Sequence, residues 1–270
     1  MLLTVSVGNS RTAFAVHAPG GSGRVRAAFQ LHTDARRTAD ELRLATRDLL
    51  ERDGLRRSDI DAACICSVVP SATPVAVEVC RALFGVRPLV VGRGVSTGLA
   101  VRYRPATALG ADRLVDAVAA HAAFGAPVVA VDFGTATTIN VVDADGAFVG
   151  GAIAPGIGLA AEALADAGAR LSRVDLRGAV PPLVGRTTDA ALQSGLIHGQ
   201  AALVGGLLER TLHALAPEGD GGAAVPVVAT GGWSPVVAPL VPRIGHVAPG
   251  LIHDGLRHIW ERQPVRRSAA

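Results

Sequence analysis

Two segments of the 270-residue chain repeat one another, and that repeat constrains the fold more than any other feature. Residues 5–16 read VSVGNSRTAFAV and residues 131–142 read VDFGTATTINVV. Each is an apolar strand, a glycine turn and a second strand. Glycine has no Cβ, so backbone at such a turn can approach a ligand closely, and the hydroxyl and amide side chains that follow can join backbone N–H groups around a phosphate. Two copies predict a phosphate clamp. The turns begin at Gly8 and Gly134, about half a chain apart, which predicts duplicated α/β domains, residues 1–118 and 119–270, facing each other across a cleft. The copies differ where Asp132 of the second is matched by Ser6 of the first. A carboxylate there can hold a cation, a hydroxyl only weakly.

All 26 Lys+Arg residues are arginine. A P-loop is excluded, because its lysine must reach the β- and γ-phosphates. Protein-kinase-type strand lysines and Schiff-base chemistry go with it. A nucleotide triphosphate would have to be neutralised by arginine, backbone amides and a bound cation. The formal charge is only +3 and aromatics are 3%, so neither a phosphate-backbone footprint nor a base-stacking platform is present, and nucleic acid is not an expected partner. Met1-Leu2-Leu3 opens a strand-length apolar run with no basic leader, and no uncharged apolar stretch reaches about 18 residues. A cytoplasmic protein with no membrane partner is expected. Cys64, Cys66 and Cys80 are odd in number and lie in apolar sequence, which predicts buried strand or helix residues and no disulfide framework. The half metal site of Cys64-Ile65-Cys66 has no second Cys or His pair of matching spacing, and the eight histidines, His121 included, show no ligand pattern.

Strands and helices alternate along the rest. The Thr38 to Glu41 spacing is that of a capping box and opens a helix to about residue 52. Residues 62–69 form a continuous apolar strand that Pro70 ends. Ser71 is placed to cap the next helix, which runs to Gly85 before a short strand at 88–91. A helix from about 110 to 125 precedes the second hairpin. Beyond it the pattern predicts a turn at Gly150-Gly151, helices at 159–171, 188–215 and 251–262, a strand at 225–229, a flexible loop at 218–224 and a disordered tail at 266–270.

The motifs Leu109-Gly110-Ala111-Asp112-Arg113, Asp132-Phe133-Gly134-Thr135-Ala136-Thr137-Thr138, Gly150-Gly151-Ala152-Ile153-Ala154-Pro155-Gly156-Ile157, Gln193-Ser194-Gly195 and Ala229-Thr230-Gly231-Gly232 follow the strand-Gly8-Asn9 turn in this order. Together they resemble the type III pantothenate kinases over nearly the whole chain. The resemblance implies an α/β fold of two duplicated ribonuclease-H-like domains with an active-site cleft between them, in the superfamily of actin, sugar kinases and heat-shock-chaperone ATPases. It implies ATP-dependent phosphorylation of pantothenate, the first step of coenzyme A biosynthesis, with Mg2+, a monovalent cation (K+ or NH4+) and a homodimer.

Carried onto this chain, the resemblance makes Asp112 the general base for the pantothenate hydroxyl. It sits in the first turn of a helix, where the helix dipole is expected to keep it ionised. Tyr103, Gly110, Ala111, Arg113 and Thr188 would join Asp112 in binding the substrate, Thr188 closing from the partner region. Ser6, Val7, Gly8, Asn9, Ser10, Arg11, Thr12, Ala13 and Thr135 would contact ATP, Asp132 would hold the monovalent cation, and Gly231-Gly232 would let adenosine lie against backbone. Each residue also has a plainer reading: Asp112-Arg113 as a helix-start carboxylate beside a solvated arginine, Thr188 as an N-cap, Tyr103 as edge-strand packing and Gly231-Gly232 as a strand end.

The departure from the family pattern is Ser6, which stands where the family carries an aspartate serving the magnesium-phosphate end of ATP. Hard divalent cations prefer carboxylate oxygens, and losing one preorganised electrostatic contact costs about a factor of 10² to 10³ in rate. Three readings follow: a pantothenate kinase that tolerates Ser6, a kinase of the same fold for another small hydroxyl compound, and a weak or inactive relative with a ligand-binding, regulatory role.

Overall fold

The computed structural model describes residues 1–20, 23–168, 173–176, 178–215 and 225–264. In chain order the elements are β1 (Leu2–Val7), β2 (Arg11–His17), β3 (Val25–His32), α1 (Ala39–Arg52), β4 (Ala62–Ser67), α2 (Ala72–Phe84), β5 (Leu89–Val90), β6 (Ala100–Val101), α3 (Ala111–Phe124), β7 (Val128–Phe133), β8 (Ala136–Val142), β9 (Ala147–Pro155), α4 (Ile157–Ala167), α5 (Thr188–Leu215), β10 (Val227–Thr230), α6 (Ser234–Val237), β11 (His246–Val247) and α7 (Leu251–Glu261). They divide into two compact units. The first contains Met1–Leu99, Arg104–Ala122 and the described part of the segment from Leu251, and the second contains Ala100–Tyr103 and Ala123–Gly250. The loop expected at 218–224 lies outside the described residues, as do the end of the helix expected at 159–171 and the tail expected at 266–270.

The sheet of the first unit has the order β3-β2-β1-β4-β5 and that of the second β11-β10-β7-β8-β9-β6. In each, three antiparallel strands in hairpin succession are followed by two parallel ones, with β1 and β7 in equivalent central places. β6 adds an edge strand to the second sheet. This is the duplicated ribonuclease-H-like arrangement.

Four strands are absent from the alternation read in the sequence: the two-residue β6 and β11, and the longer β3 and β9. β3 is half exposed, with only Ala27 and Phe29 buried, and its polar positions hide a strand whose inner face is narrow. Gly150 and Gly151 make no turn. They lie within β9 at φ of +129° and +144°, beside a register shift between Val141 and Val142, and a Cβ on Gly151 would strike the Ile139 carbonyl. Gly151 is required because β8 and β9 approach too closely there for a side chain, and Gly150 by its positive φ.

The hairpins also differ by one residue. Ser6 pairs with Ala13, whereas Asp132 pairs with Thr138, so the second turn is a residue shorter and β8 is offset against β2 by that amount.

The two caps read in the sequence for α1 and α2 turn out differently. Thr38 and Glu41 form the full capping box, with Thr38 N donating to Glu41 Oε2 at 2.8 Å and Glu41 N to Thr38 Oγ1 at 3.3 Å. Ser71 makes no capping hydrogen bond. It already has helical φ and ψ of −69° and −31°, which takes its hydroxyl away from the orphan N–H groups.

Alternation along β1 gives the first sheet two different faces. Leu3, Val5 and Val7 join Leu42, Leu50, Ala76, Val79 and Cys80 in a core beneath α1 and α2. Thr4 points the other way, toward α7. Its buried hydroxyl lies within hydrogen-bond distance of the Ala15 carbonyl at 3.2 Å, His17 Nε2 at 3.0 Å and His253 Nδ1 at 2.9 Å, so both rings are tied to it. In the second unit Leu196, Ile197, Val204, Leu208 and Leu212 of α5 cover the inner face of its sheet.

All three cysteines are free and buried. Burial raises the Cys64 and Cys80 thiols to about 12, so neither is a reactive thiolate. Among the described residues no helix is long and apolar enough to cross a membrane, and no group of three or more His, Cys, Asp or Glu could hold a metal ion.

Burial pushes His253 down from 6.5 to about 4, with His17 beside it adding to the effect. Its folded value is depressed, so on acidification the unfolded chain takes up the proton first and stability is lost as pH falls from about 6.5 toward 4. By pH 5 the loss is about 2 kcal/mol. His253→Gln keeps a donor for Thr4 but does not titrate. Its urea midpoint should fall less between pH 7 and pH 5 than that of the native chain, and equal falls would show that His253 does not carry the acid sensitivity.

Candidate active site

The first glycine turn is tied at both ends. Gly8 N donates to the Arg11 carbonyl at 3.0 Å, and a Cβ on Gly8 would sit 3.2 Å from that oxygen. From outside the hairpin, Thr33 N donates to the Ser10 carbonyl at 3.0 Å while its hydroxyl meets that of Thr12 at 2.9 Å. This anchoring leaves Asn9 and Arg11 exposed, with Ser6, Gly8, Ser10 and Ala13 half-buried and Val7 and Thr12 buried. Thr33 carried no signal in the sequence, since only the pairing of β3 with β2 brings it to the turn.

The second turn is braced by the start of α4. Gly134 N donates to Ala136 O and Gly156 N to Thr135 O, both at 3.1 Å. A Cβ on Gly156 would collide with the carbonyls of Gly134 and Thr135. Thr135 is exposed at the tip and Asp132 is half-buried at the base.

Asp132 is closed in by glycines. A Cβ on Gly134 would lie 3.1 Å from its Oδ2, and one on Gly231, which has φ of +87°, would strike its Oδ1 and the Phe133 carbonyl. Gly231 therefore does more than end a strand. Its carbonyl accepts from Ser234 N at 3.1 Å and Ser234 Oγ at 2.8 Å, and Trp233 N donates to Phe133 O at 3.2 Å, so the 231–234 loop is held against the carboxylate. Thr138 on β8 and Thr230 on β10 flank Asp132 in register. A carboxylate, backbone carbonyls and space that a Cβ would fill are the donor set and room that a monovalent cation requires.

In the first unit Asp112 and Arg113 occupy the first turn of α3. Asp112 Oδ1 accepts from Arg113 N at 2.8 Å, and a Cβ on Gly110 would sit 2.5 Å from that same oxygen. Gly110 is what lets the carboxylate fold back over the helix start. The expectation that the dipole keeps Asp112 ionised needs correction: burial raises its pKa, and the Arg113 N–H and guanidinium only partly offset this. Desolvation outweighs the dipole because the side chain turns into the protein. Arg113 is 6% exposed, so it is not a solvated arginine.

Tyr103 follows β6, edge-on to Phe148 with ring centroids 6.0 Å apart, and lies against Gly150. Thr188 opens α5 and is exposed. The cap of that helix is Thr187, whose hydroxyl accepts from Ala190 N at 3.2 Å, so Thr188 is not the N-cap that the sequence suggested. The structure thus groups Ser6 to Ala13 with Asp112 and Arg113 in the first unit, and Tyr103, Asp132, Thr135, Thr188 and Gly231 in the second.

The model of type III pantothenate kinases matches residues 2–210, with both glycine turns and the Asp112 helix inside the match. The chain belongs to the type III pantothenate kinase family. The type III pantothenate kinase of Paramagnetospirillum magneticum is 42% identical over 269 residues, covering 98% of this chain and 100% of that one. That of Acidiphilium cryptum is 40% identical over 265 residues, covering 98% and 96%. Among solved structures, a ROK family glucokinase from Streptomyces griseus, determined with glucose and AMPPNP, has a TM-score of 0.52 at 14% identity, covering 94% of this chain and 97% of its own. That likeness is one of fold.

Gly231→Ala should cost about 1–3 kcal/mol, since it places a side chain at a left-handed φ and against the Asp132 carboxylate. Gly245→Ala is the control, because nothing lies within 4 Å of the Cβ it would add. Urea unfolding of both checks this, and equal midpoints would remove the steric role of Gly231.

Proposed function

We propose that this family member phosphorylates pantothenate with ATP, giving 4'-phosphopantothenate and ADP at the entry to coenzyme A biosynthesis in the cytoplasm. Asp112 carries the reading: a carboxylate held by an N–H on one oxygen, with burial raising its pKa, is suited to take a proton in the pH range where a kinase works. In the reaction the primary hydroxyl oxygen of pantothenate bonds to the γ-phosphorus, the bond from that phosphorus to the β-γ bridging oxygen breaks, ADP leaves, and the hydroxyl proton passes to Asp112. Arg113 beside it, with Tyr103 and Thr188, orients the acceptor. Gly8, Asn9, Ser10 and Arg11 hold phosphate oxygens through backbone and side chain, with Ser6, Val7, Thr12 and Ala13 shaping the turn, and Thr135 contacts ATP. With no lysine available, arginine must supply the fixed positive charge.

Asp132 and the carbonyls around it suit K+ or NH4+. Mg2+ binds through one or two carboxylates, water and substrate phosphates rather than an all-protein cage, so the absence of a ligand cluster among the described residues is compatible with it. When bound, these cations neutralise charge developing on the phosphates. A homodimer is supported by exposed apolar side chains in the second unit, Val149 and Ile153 on β9 with Leu159 and Leu164 on α4. β9 pairs with β6 only at Ala147 and Phe148, which leaves the rest of that edge open.

A coupled assay with pantothenate, ATP and Mg2+ tests the reading directly, and absent turnover with normal nucleotide binding would favour a ligand-binding relative. Asp112→Asn should lower kcat by about 10² to 10⁴ with nucleotide affinity within about twofold, since the base acts on the acceptor. In the native enzyme kcat/KM should rise with pH through a pKa above the ordinary carboxylate value. A native rate in the variant would exclude Asp112 as the base.

Asp132→Asn addresses the cation. Any advantage of K+ or NH4+ over Na+ should disappear, and a surviving advantage would move the monovalent site elsewhere.

A further inference from the structure

The second face of the first sheet is set by the register of β1 and β4. Thr4 and Ser6 alternate with the core residues Leu3, Val5 and Val7, and Cys64 and Cys66 stand directly beside them on the neighbouring parallel strand. α7 covers this face through the bond from His253 to Thr4. α7 in turn crosses α3 so closely that a Cβ on Gly255 would strike the Val115 carbonyl. On the α3 turn next to that crossing, Asp112 and Asp116 stand one helical turn apart on one side of the helix. Both carboxylates lie within electrostatic reach of the Cys66 sulfur, whose thiol is pushed well above its ordinary range by burial first and by these two charges next. Cys66 is the ladder partner of Ser6, about 5 Å away across the strand spacing.

Asp116 is 2% exposed. Buried aspartate is costly, and aspartate is a weak helix former, so α3 gains nothing from it as a helix. Its position gives it a use. A carboxylate on α3 thus acts on Cys66, the in-register neighbour of Ser6, on the face toward which Ser6 points.

We propose that Asp116 supplies from α3 the negative charge that Ser6 does not bring to the first phosphate turn, acting as a positioning residue for the metal–nucleotide end of the reaction. The inference rests on the kinase reading above. It assigns Asp116 a task distinct from that of Asp112, which serves the acceptor hydroxyl. It also explains how a serine is tolerated at residue 6: two carboxylates so near each other would repel, and one is sufficient.

The test uses the full chain as native protein, Asp116→Asn, Ser6→Asp and the double variant. Calorimetry measures Mg2+-dependent affinity for AMPPNP, and a coupled assay measures kcat with pantothenate. Asp116→Asn should weaken Mg2+-dependent AMPPNP binding about tenfold and lower kcat by about ten- to a hundredfold. The double variant should return to within about threefold of the native protein in both quantities, so that Ser6→Asp rescues Asp116→Asn. That rescue is the readout a merely structural role cannot give. The proposal is overturned if folded Asp116→Asn binds Mg2+ and AMPPNP as the native chain does, or if Ser6→Asp fails to rescue it. Should Asp116→Asn not fold, Asp116→Ser takes its place in both arms, with the same outcomes upholding or overturning the proposal. The binding measurements need no acceptor, so they stand apart from any failure of the pantothenate reading.

Discussion

The in-register parallel pairing of the central strands, β1 with β4 and β7 with β10, is the constraint on which the rest depends. Because side chains alternate, one pairing assigns every residue of two strands to a face. In the first unit it commits Leu3, Val5 and Val7 to the apolar core and leaves Thr4 and Ser6 with the cysteines on a polar face. In the second it sets Asp132 between Thr138 and Thr230. The glycine turns then need only begin where those strands end. Their N–H groups are presented by a framework whose position is set by some tens of buried apolar contacts and not by the loops themselves.

Glycine enters wherever a carboxylate needs room. Gly110 accommodates Asp112, and Gly134 with Gly231 accommodates Asp132. In each case the acid is confined by backbone, which cannot move aside as a side chain could, and confinement of this kind holds a group in geometry before substrate arrives. Burial then sets its proton affinity, and at Asp112 it does so against the helix dipole, which weakens quickly away from the axis and cannot compensate for lost water.

Much of this was legible in the residues. The strand–glycine–strand repeat, the capping box at Thr38 and the long continuous runs of β4 and β10 carry local signals strong enough to survive any tertiary context. What was not legible is non-local. β3 hides because only two of its side chains are buried, and β9 because Gly151 is demanded by the approach of β8 and not by a turn. Thr33 reaches the first glycine turn only through strand pairing, and Thr187 takes the cap because α5 begins one residue earlier than a cap at Thr188 implied. The helical pattern at 251–262 fixes a helix but says nothing about which sheet it covers, and α7 packs on β1 and β4 of the first unit. The same holds for Asp116, whose spacing from Asp112 is plain but whose meaning depends on Cys66 and Ser6 lying opposite.

The one-residue difference between the two turns limits how far the halves are interchangeable. Residues 5–16 and 131–142 have equal length and similar composition, and they invite a direct transplant. Placed in the second sheet, the first segment would keep its opening strand in place but would have to close the one-residue-shorter turn that holds β8 in register. Phe14 and Val16 would then arrive at the positions of Asn140 and Val142, and small alanines would fall where Ile139 and Val141 now fill the core. The duplication has been preserved as a topology while its parts have lost their common gauge, so recombination between the halves would be penalised even where their sequences agree best.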